Sequence, residues 1–173
     1  MIGDCMLFAR PPAPVPESSE LNELVREAAE KAALALDQSV DCLEFEIPDT
    51  RVSAEADATQ IQTLVTHLVR NSIEACLNSD VAVRVVIGLH KDRNAVLLSV
   101  EDQAAGITDD RIRRHLFDPF YSGRQAGRGI GFGLPVCWQI VRSHGGLILG
   151  ETPEGGGTRF VAGLPAVQSG GVS

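Results

Sequence analysis

Gly127-Arg128-Gly129-Ile130-Gly131-Phe132-Gly133-Leu134 sets a glycine at every second position, and Pro135-Val136-Cys137-Trp138-Gln139-Ile140-Val141 follows at once. Glycines at that density exclude a helix interior, because each loses the most backbone entropy on ordering and offers no side chain to pack. The residues after them, apolar at 134, 137, 138 and 141, follow a helical period. The chain therefore contains a glycine loop that opens into a helix. Such an opening presents free N–H groups and the positive end of a helix dipole, which together suit an anion. Arg124 and Arg128 add two fixed positive charges beside it. A phosphate-binding lid and a flexible loop before a core helix both fit this stretch alone, so the rest of the chain must decide.

A length of 173 residues suits one ordinary core. The formal net charge of -8 argues against a nucleic-acid backbone as partner, and no nucleic acid is expected. Lysine stands only at 31 and 91, so arginine carries nearly all the positive charge. An acidic chain still binds a polyphosphate where N–H groups, arginines and a metal reverse the field at one spot. The cysteines at 5, 42, 76 and 137 form no C-x-x-C pair and no metal-ligand spacing. Cys76 and Cys137 fall in apolar helical patterns and read as small core fillers. Ile2 to Phe8 is apolar but far too short to span a membrane, and no signal peptide is evident. A reducing, cytoplasmic setting is the expectation.

In chain order, residues 1–16 read as the tail of a helix followed by a stiff proline-rich linker, Pro11-Pro12-Ala13-Pro14-Val15-Pro16. That start suits the C-terminal part of a longer protein. Residues 17–166 read as one domain and 167–173 as a disordered tail. Ser18 or Ser19 is expected to cap a helix running from Leu21 to about Ala35. Leu43 to Ile47 alternates as a strand, with Val52 to Ala54 a shorter one. Asp57 precedes a second helix, on which Ile61, Leu64, Val65, Leu68, Val69, Ser72, Ile73 and Cys76 form one buried stripe. Val81 to Leu89 and Ala95 to Val100 read as strands joined by a hairpin. A short helix over Asp109 to Phe117, a helix from Leu134 to about His144 and strands at Leu147–Leu149 and Thr158–Leu164 complete the order. The pattern predicts an α+β fold, with a layer of helices on one side of a mixed sheet. The glycines lie between a polar loop and a helix, not between a strand and a helix, which disfavours a dinucleotide site.

Two further clusters carry chemistry. On the second helix His67, Asn71 and Glu74 fall at i, i+4 and i+7 and project from one face, opposite the buried stripe. Asn71 supplies a neutral oxygen suited to Mg²⁺, an ion that keeps several waters and takes other ligands from phosphate. His67 could orient or deprotonate an attacking group. At the end of a strand, Asp102 leads into a turn that ends at Gly106 and Ile107. There a carboxylate can accept from an exocyclic amine, the glycine admits close approach, and the isoleucine can pack on an aromatic base. Gly155-Gly156-Gly157-Thr158 likewise sets a hydroxyl at the mouth of a strand. Each cluster alone also fits ordinary turns and solvated faces.

Taken as an ordered set, these segments resemble the histidine-kinase branch of the Bergerat-fold ATPases, a family that also includes gyrase, the ninety-kilodalton chaperones and the mismatch-repair ATPases. His67-Leu68-Val69-Arg70-Asn71-Ser72-Ile73-Glu74-Ala75 resembles the asparagine box, and Asp102 to Ile107 the first glycine box. Leu116-Phe117-Asp118-Pro119-Phe120 resembles the phenylalanine box. Gly127 to Leu134 and Gly156 to Phe160 resemble the second and third glycine boxes.

The resemblance implies a two-layer α/β sandwich, with a mostly antiparallel mixed sheet, that binds ATP and Mg²⁺ beneath a mobile lid. By that likeness Asp102 accepts from the adenine amine, Asn71 holds the metal, and Gly106, Ile107 and Thr158 line the adenine end. The lid runs from about Phe120 to Gly133, with Gly127, Gly129, Gly131, Gly133 and Leu134 closing over the phosphates. Arg124 takes the place of a lysine that reaches the terminal phosphates, and brings a planar fork of donors instead. With His67, it is a candidate catalytic group. Ala104 replaces a glycine of the first box. The likeness further implies transfer of the γ-phosphoryl to a histidine on a phosphoacceptor helix, then onward to a response-regulator aspartate. That helix is expected upstream, so the chain alone should be a monomer that does not autophosphorylate, within a homodimeric full-length protein. A Bergerat-type ATPase or anti-sigma-like serine kinase, and a degenerate module that has lost nucleotide, are the alternative readings.

Overall fold

The computed structural model describes residues 11–118 and 133–167. Residues 1–10, 119–132 and 168–173 lie outside them, and with them the expected N-terminal helix end and most of the expected lid and of the expected tail. In chain order the elements are β1 (Glu17–Glu20), α1 (Asn22–Ala35), β2 (Leu43–Glu46), β3 (Ser53–Ala56), α2 (Ala58–Asn78) and β4 (Val85–Lys91). They continue with β5 (Ala95–Asp102), α3 (Asp110–His115), α4 (Gly133–Ser143), β6 (Leu147–Glu151) and β7 (Arg159–Pro165). Five strands form one sheet in the order β2-β4-β5-β7-β6. Only the β2–β4 pair is parallel, so the sheet is mixed and mostly antiparallel. Helices α1, α2 and α4 share one face of it, with α2 packed between the other two and against β4 and β5. This is the expected α+β sandwich of the Bergerat type.

The core follows from two periodicities. Along β5, Val96, Leu98, Val100 and Asp102 point inward at every second position, and Phe160, Ala162 and Leu164 do the same on β7. Along α2 the expected stripe from Ile61 to Cys76 is buried throughout. Burial of one such isoleucine or leucine contributes roughly 1.5–3 kcal/mol, so this helix anchors everything placed on its other face. Asp57 starts it as expected, its Oδ1 accepting from Gln60 N at 3.2 Å. The other carboxylate oxygen accepts from Val15 N at 3.0 Å, and that bond is the main cause holding the Asp57 carboxyl below its ordinary range. His144, just beyond α4, ties the helices together. Its Nδ1–H donates to Ile140 O at 2.7 Å and its Nε2 accepts from Asp57 N at 3.0 Å.

Two local expectations are corrected. Ser18 and Ser19 do not cap α1; they lie in β1, a four-residue strand paired antiparallel with β3. Leu21 occupies the cap position with no side-chain cap bond, and Ser19 Oγ donates instead to Ala56 O at 2.9 Å. A polar Glu-Ser-Ser-Glu segment carries no periodic signal, and its partner strand is remote in sequence. The start of α1 is fastened by Asn22. Its amide donates to Pro48 O and Thr50 O at 2.9 and 3.1 Å, and its Oδ1 accepts from Val52 N at 2.8 Å. The second correction is that β4 starts at Val85, not Val81. Asp80 adopts a left-handed φ of 52° and Val81 N donates to Cys76 O at 3.2 Å, so Val81 belongs to the turn that closes α2. No helix among the described residues is long and apolar enough to cross a membrane.

The Asn22 bracket yields a direct check. Asn22→Ala strands the Val52 N–H and is expected to cost about 1–3 kcal/mol in urea unfolding. Ser18→Ala, at an exposed position, is expected to stay within about 0.5 kcal/mol of the parent. A cap role for Ser18 would reverse that order.

Candidate functional site

Strand β5 ends at Asp102, whose side chain enters the interior at 1% exposure. One carboxylate oxygen, Oδ1, accepts from Ala104 N at 3.0 Å and from Thr158 N at 3.2 Å. The other, Oδ2, is buried with no hydrogen-bond partner among the described residues. Burial pushes the Asp102 carboxyl above its ordinary range, and the Ala104 and Thr158 N–H groups and the nearby Ser72 hydroxyl of α2 oppose that shift. A buried acceptor left unpaired costs about 1–3 kcal/mol. The arrangement suits a ligand that brings a donor, such as an exocyclic amine, to Oδ2.

Two turns are fastened to one another around this carboxylate. Asp102 N donates to Thr158 O at 2.9 Å, beside the side-chain bond from Thr158 N. Gly157 has φ +85°, and a Cβ there would collide with the Asp102 carbonyl. Gly106 has φ +81°, and a Cβ there would meet the Gly157 carbonyl and Thr152 Cγ2. The glycine needed at 106 is thus explained by the packing of turn on turn. Ile107, 7% exposed, has its N–H bonded to Thr152 Oγ1 at 3.1 Å. The same hydroxyl donates to Ile107 O at 3.2 Å, and Arg113 Nη2 reaches that carbonyl at 3.3 Å. Left-handed non-glycine backbone among the described residues is confined to Asp37 and Asp80. Ala104 therefore sits in its turn without strain, and its N–H is one of the two bonds to Asp102.

The face of α2 opposite the core holds His67, Asn71 and Glu74, all half-buried. Glu74 lies 3.8 Å from Arg70. Gly133, the first residue of α4, stands against His67: a Cβ on it would lie 3.4 Å from His67 Nδ1. Leu134 packs partly on the core. Among the described residues no group of three or more His, Cys, Asp or Glu side chains could enclose a metal. A cation at this face would rest on the Asn71 oxygen and on oxygens carried by a ligand, a donor set that fits Mg²⁺ bound through phosphate.

The structure thus brings Asp102, Gly106, Ile107 and Thr158 into one unit. Ser72 joins that unit to the helix that carries His67 and Asn71. Phe120, Arg124, Gly127, Gly129 and Gly131 lie outside the described residues. Of the phenylalanine segment, Phe117 packs edge-on against Phe160 with ring centroids 6.5 Å apart. Sequence reasoning passed over Ser72 and Thr152. Ser72 falls within an apolar stripe, where a hydroxyl at a fully buried position is itself the signal. Thr152 stands before the glycine turn as Thr158 stands after it, and that bracketing was the available cue.

Two measurements test this geometry. Gly157→Ala is expected to lose several kcal/mol or fail to fold, since backbone fills the space. Gly156→Ala, with φ +86° and open space around it, should cost only about 1 kcal/mol in thermal or urea unfolding. For Asp102 the sign follows from a raised folded-state pKa. The cost of burying its charge is absent below the ordinary carboxylate range and grows as pH rises through the raised value. The unfolding free energy of Asp102→Asn relative to the parent is therefore expected to increase from about pH 3 to about pH 7. A constant difference would contradict it.

Residues 56–168 match the family described as histidine kinase-, DNA gyrase B-, and HSP90-like ATPase. The chain is 33% identical over 147 residues to the sensor protein FixL of Bradyrhizobium diazoefficiens, covering 84% of this chain and 28% of that protein. It is 32% identical over 172 residues to the C4-dicarboxylate transport sensor protein DctS of Rhodobacter capsulatus, covering 94% and 24%. It is 27% identical to sporulation kinase E of Bacillus subtilis, covering 98% and 22%. The chain thus spans about a quarter of the length of these relatives. Among solved structures, the nucleotide-free catalytic domain of histidine kinase ThkA superposes with a TM-score of 0.70 at 28% identity, over 87% of this chain and 98% of that one. The mycobacterial sensor histidine kinase MprB shares the fold with a TM-score of 0.72 at 24% identity, over 88% and 98%.

Proposed function

The chain belongs to the family of histidine kinase-, DNA gyrase B- and HSP90-like ATPases, and from that premise we propose that it binds ATP with Mg²⁺ and serves as the phosphoryl-donating half of a sensor histidine kinase. The observation that carries the proposal is the buried Asp102 carboxylate, whose Oδ2 has no hydrogen-bond partner among the described residues. In this reading Oδ2 accepts from the adenine amine, the Ile107 side chain packs on the base, and Gly106 and Thr158 keep the turns in place. Asn71 supplies the protein's oxygen to the metal, whose chemistry is to draw charge from the phosphate oxygens during transfer. His67 lies on the same helix face, where it can orient the accepting group. Arg124 and the N–H groups of Gly127, Gly129, Gly131 and Gly133 gather the developing charge on the terminal phosphates, with Phe120 and Leu134 at the ends of that lid.

Within its full-length protein the domain would hand the γ-phosphoryl to a histidine on a phosphoacceptor helix and from there to a response regulator, in the cytoplasm. Three relatives bear the names of sensors or a sporulation kinase, and this supports a signalling kinase over a free-standing ATPase or serine kinase. The unstrained Ala104 turn, with its N–H on Asp102, supports an intact nucleotide site over a degenerate one.

Calorimetric titration with a non-hydrolysable ATP analogue, with and without Mg²⁺, tests the proposal. Asp102→Ala is expected to weaken binding by about 10- to 100-fold, the worth of a hydrogen bond to a charged group. Asn71→Ala should abolish the difference that Mg²⁺ makes. No binding by the parent chain at millimolar nucleotide would overturn the proposal. Uptake of labelled phosphate by the isolated chain would overturn its placement of the accepting histidine elsewhere.

A further inference from the structure

Thr152 belongs to none of the segments from which the nucleotide site was read, yet its hydroxyl bonds both the N–H and the carbonyl of Ile107. Its hydroxyl accepts from Ile107 N at 3.1 Å and donates to Ile107 O at 3.2 Å, so a side chain stands in for a strand partner. Its methyl group lies 3.0 Å from where a Cβ on Gly106 would stand, and with the Gly157 carbonyl oxygen at 2.5 Å it closes that space. The residue sits at the exit of β6, so the clamp transmits the position of the sheet edge to the turn that leaves β5. Arg113 of α3 supplies a second donor to the Ile107 carbonyl at 3.3 Å.

We propose that Thr152 is a positioning residue for the base-binding turn, holding Ile107 and, through Gly106, the turn that begins at Asp102 in the geometry that accepts an adenine. The inference rests on the nucleotide reading of Asp102 and Ile107. The chemical reason is one of symmetry in bonding: a hydroxyl is at once donor and acceptor, and the Ile107 backbone offers one of each. Valine in that place has the same shape and neither function, and leaves a buried N–H without a partner. Serine keeps both functions and gives up only the methyl.

The experiment compares Thr152→Val and Thr152→Ser with the parent chain. Amide hydrogen exchange at Ile107 in the nucleotide-free protein reads the clamp itself. Calorimetry with non-hydrolysable ATP and GTP analogues reads its effect on the site. In Thr152→Val the Ile107 amide is expected to exchange at least tenfold faster, with ATP-analogue affinity and the ATP-to-GTP preference each falling by about tenfold. Thr152→Ser should restore all three. Unchanged exchange in Thr152→Val would overturn the clamp, as would losses in Thr152→Ser as large as those in Thr152→Val, since the hydroxyl would then not suffice to hold the turn. Faster exchange with unaltered affinity and preference would overturn the positioning role. A parent chain that binds neither analogue would overturn the nucleotide reading, a result distinct from the exchange measurement, which needs no ligand.

Discussion

Asp102 and Thr158 hold each other twice, once backbone to backbone and once through the Asp102 carboxylate, and the placing of the remaining site residues depends on that double link. It joins the end of β5 to the residue before β7, one step beyond the last pair of the β5–β7 ladder, Glu101 with Arg159. Gly157 is pressed so close to the Asp102 carbonyl that no side chain could be tolerated there, and Gly106 is pressed against Gly157 in turn. Backbone in contact with backbone leaves little freedom, so a carboxylate oxygen can be kept buried and unpaired without the turns collapsing onto it. The cost of that unpaired acceptor is borne by the hydrophobic packing of β5, β7 and α2, whose inward residues are almost fully enclosed.

Helix α2 serves both layers of the account. Its apolar stripe binds it to the sheet and to α1 and α4, while its other face carries His67, Asn71 and Glu74. Ser72 stands where the two roles meet, buried in the stripe and adjacent to the Asp102 carboxylate. The helix is held at its N-terminus by Asp57, which caps it, receives the linker at Val15 and donates its own N–H to His144. Through His144 the end of α4 is fixed to the start of α2, and at its other end α4 begins against His67. The two helices that flank the proposed phosphate end of the site are therefore registered to each other at both ends.

Where a segment's structure is set by its own side chains, the sequence was legible. The α2 stripe, the start of that helix after Asp57, the strand over Ala95–Val100 and the glycine turn before β7 all emerged in the fold as read. What was not legible depended on partners remote in sequence. Glu17–Glu20 has no hydrophobic pattern and is a strand only because β3 lies alongside it. Val81 is β-branched and would suit a strand, but the left-handed Asp80 draws it into the turn that ends α2. At the site, Asp102 is legible as an acid at the exit of a strand, whereas Thr158 meets it through backbone N–H and carbonyl, contacts to which its residue type gives no clue. Thr152 bonds Ile107, 45 residues away in sequence, and Ser72 lies beside Asp102 on another element, proximities that spacing does not reveal.

The central claim is that the buried, half-satisfied Asp102 carboxylate is the acceptor for a nucleotide's amine, and its protonation reports this directly. Following the Asp102 carboxyl carbon by NMR as pH is varied, in the free chain and with saturating non-hydrolysable ATP analogue, measures it. The account predicts a titration midpoint above the ordinary carboxylate range in the free chain, as burial requires, and a clear downward move once a donor occupies Oδ2. A midpoint within the ordinary range in the free chain, or one unmoved by bound nucleotide, would contradict it.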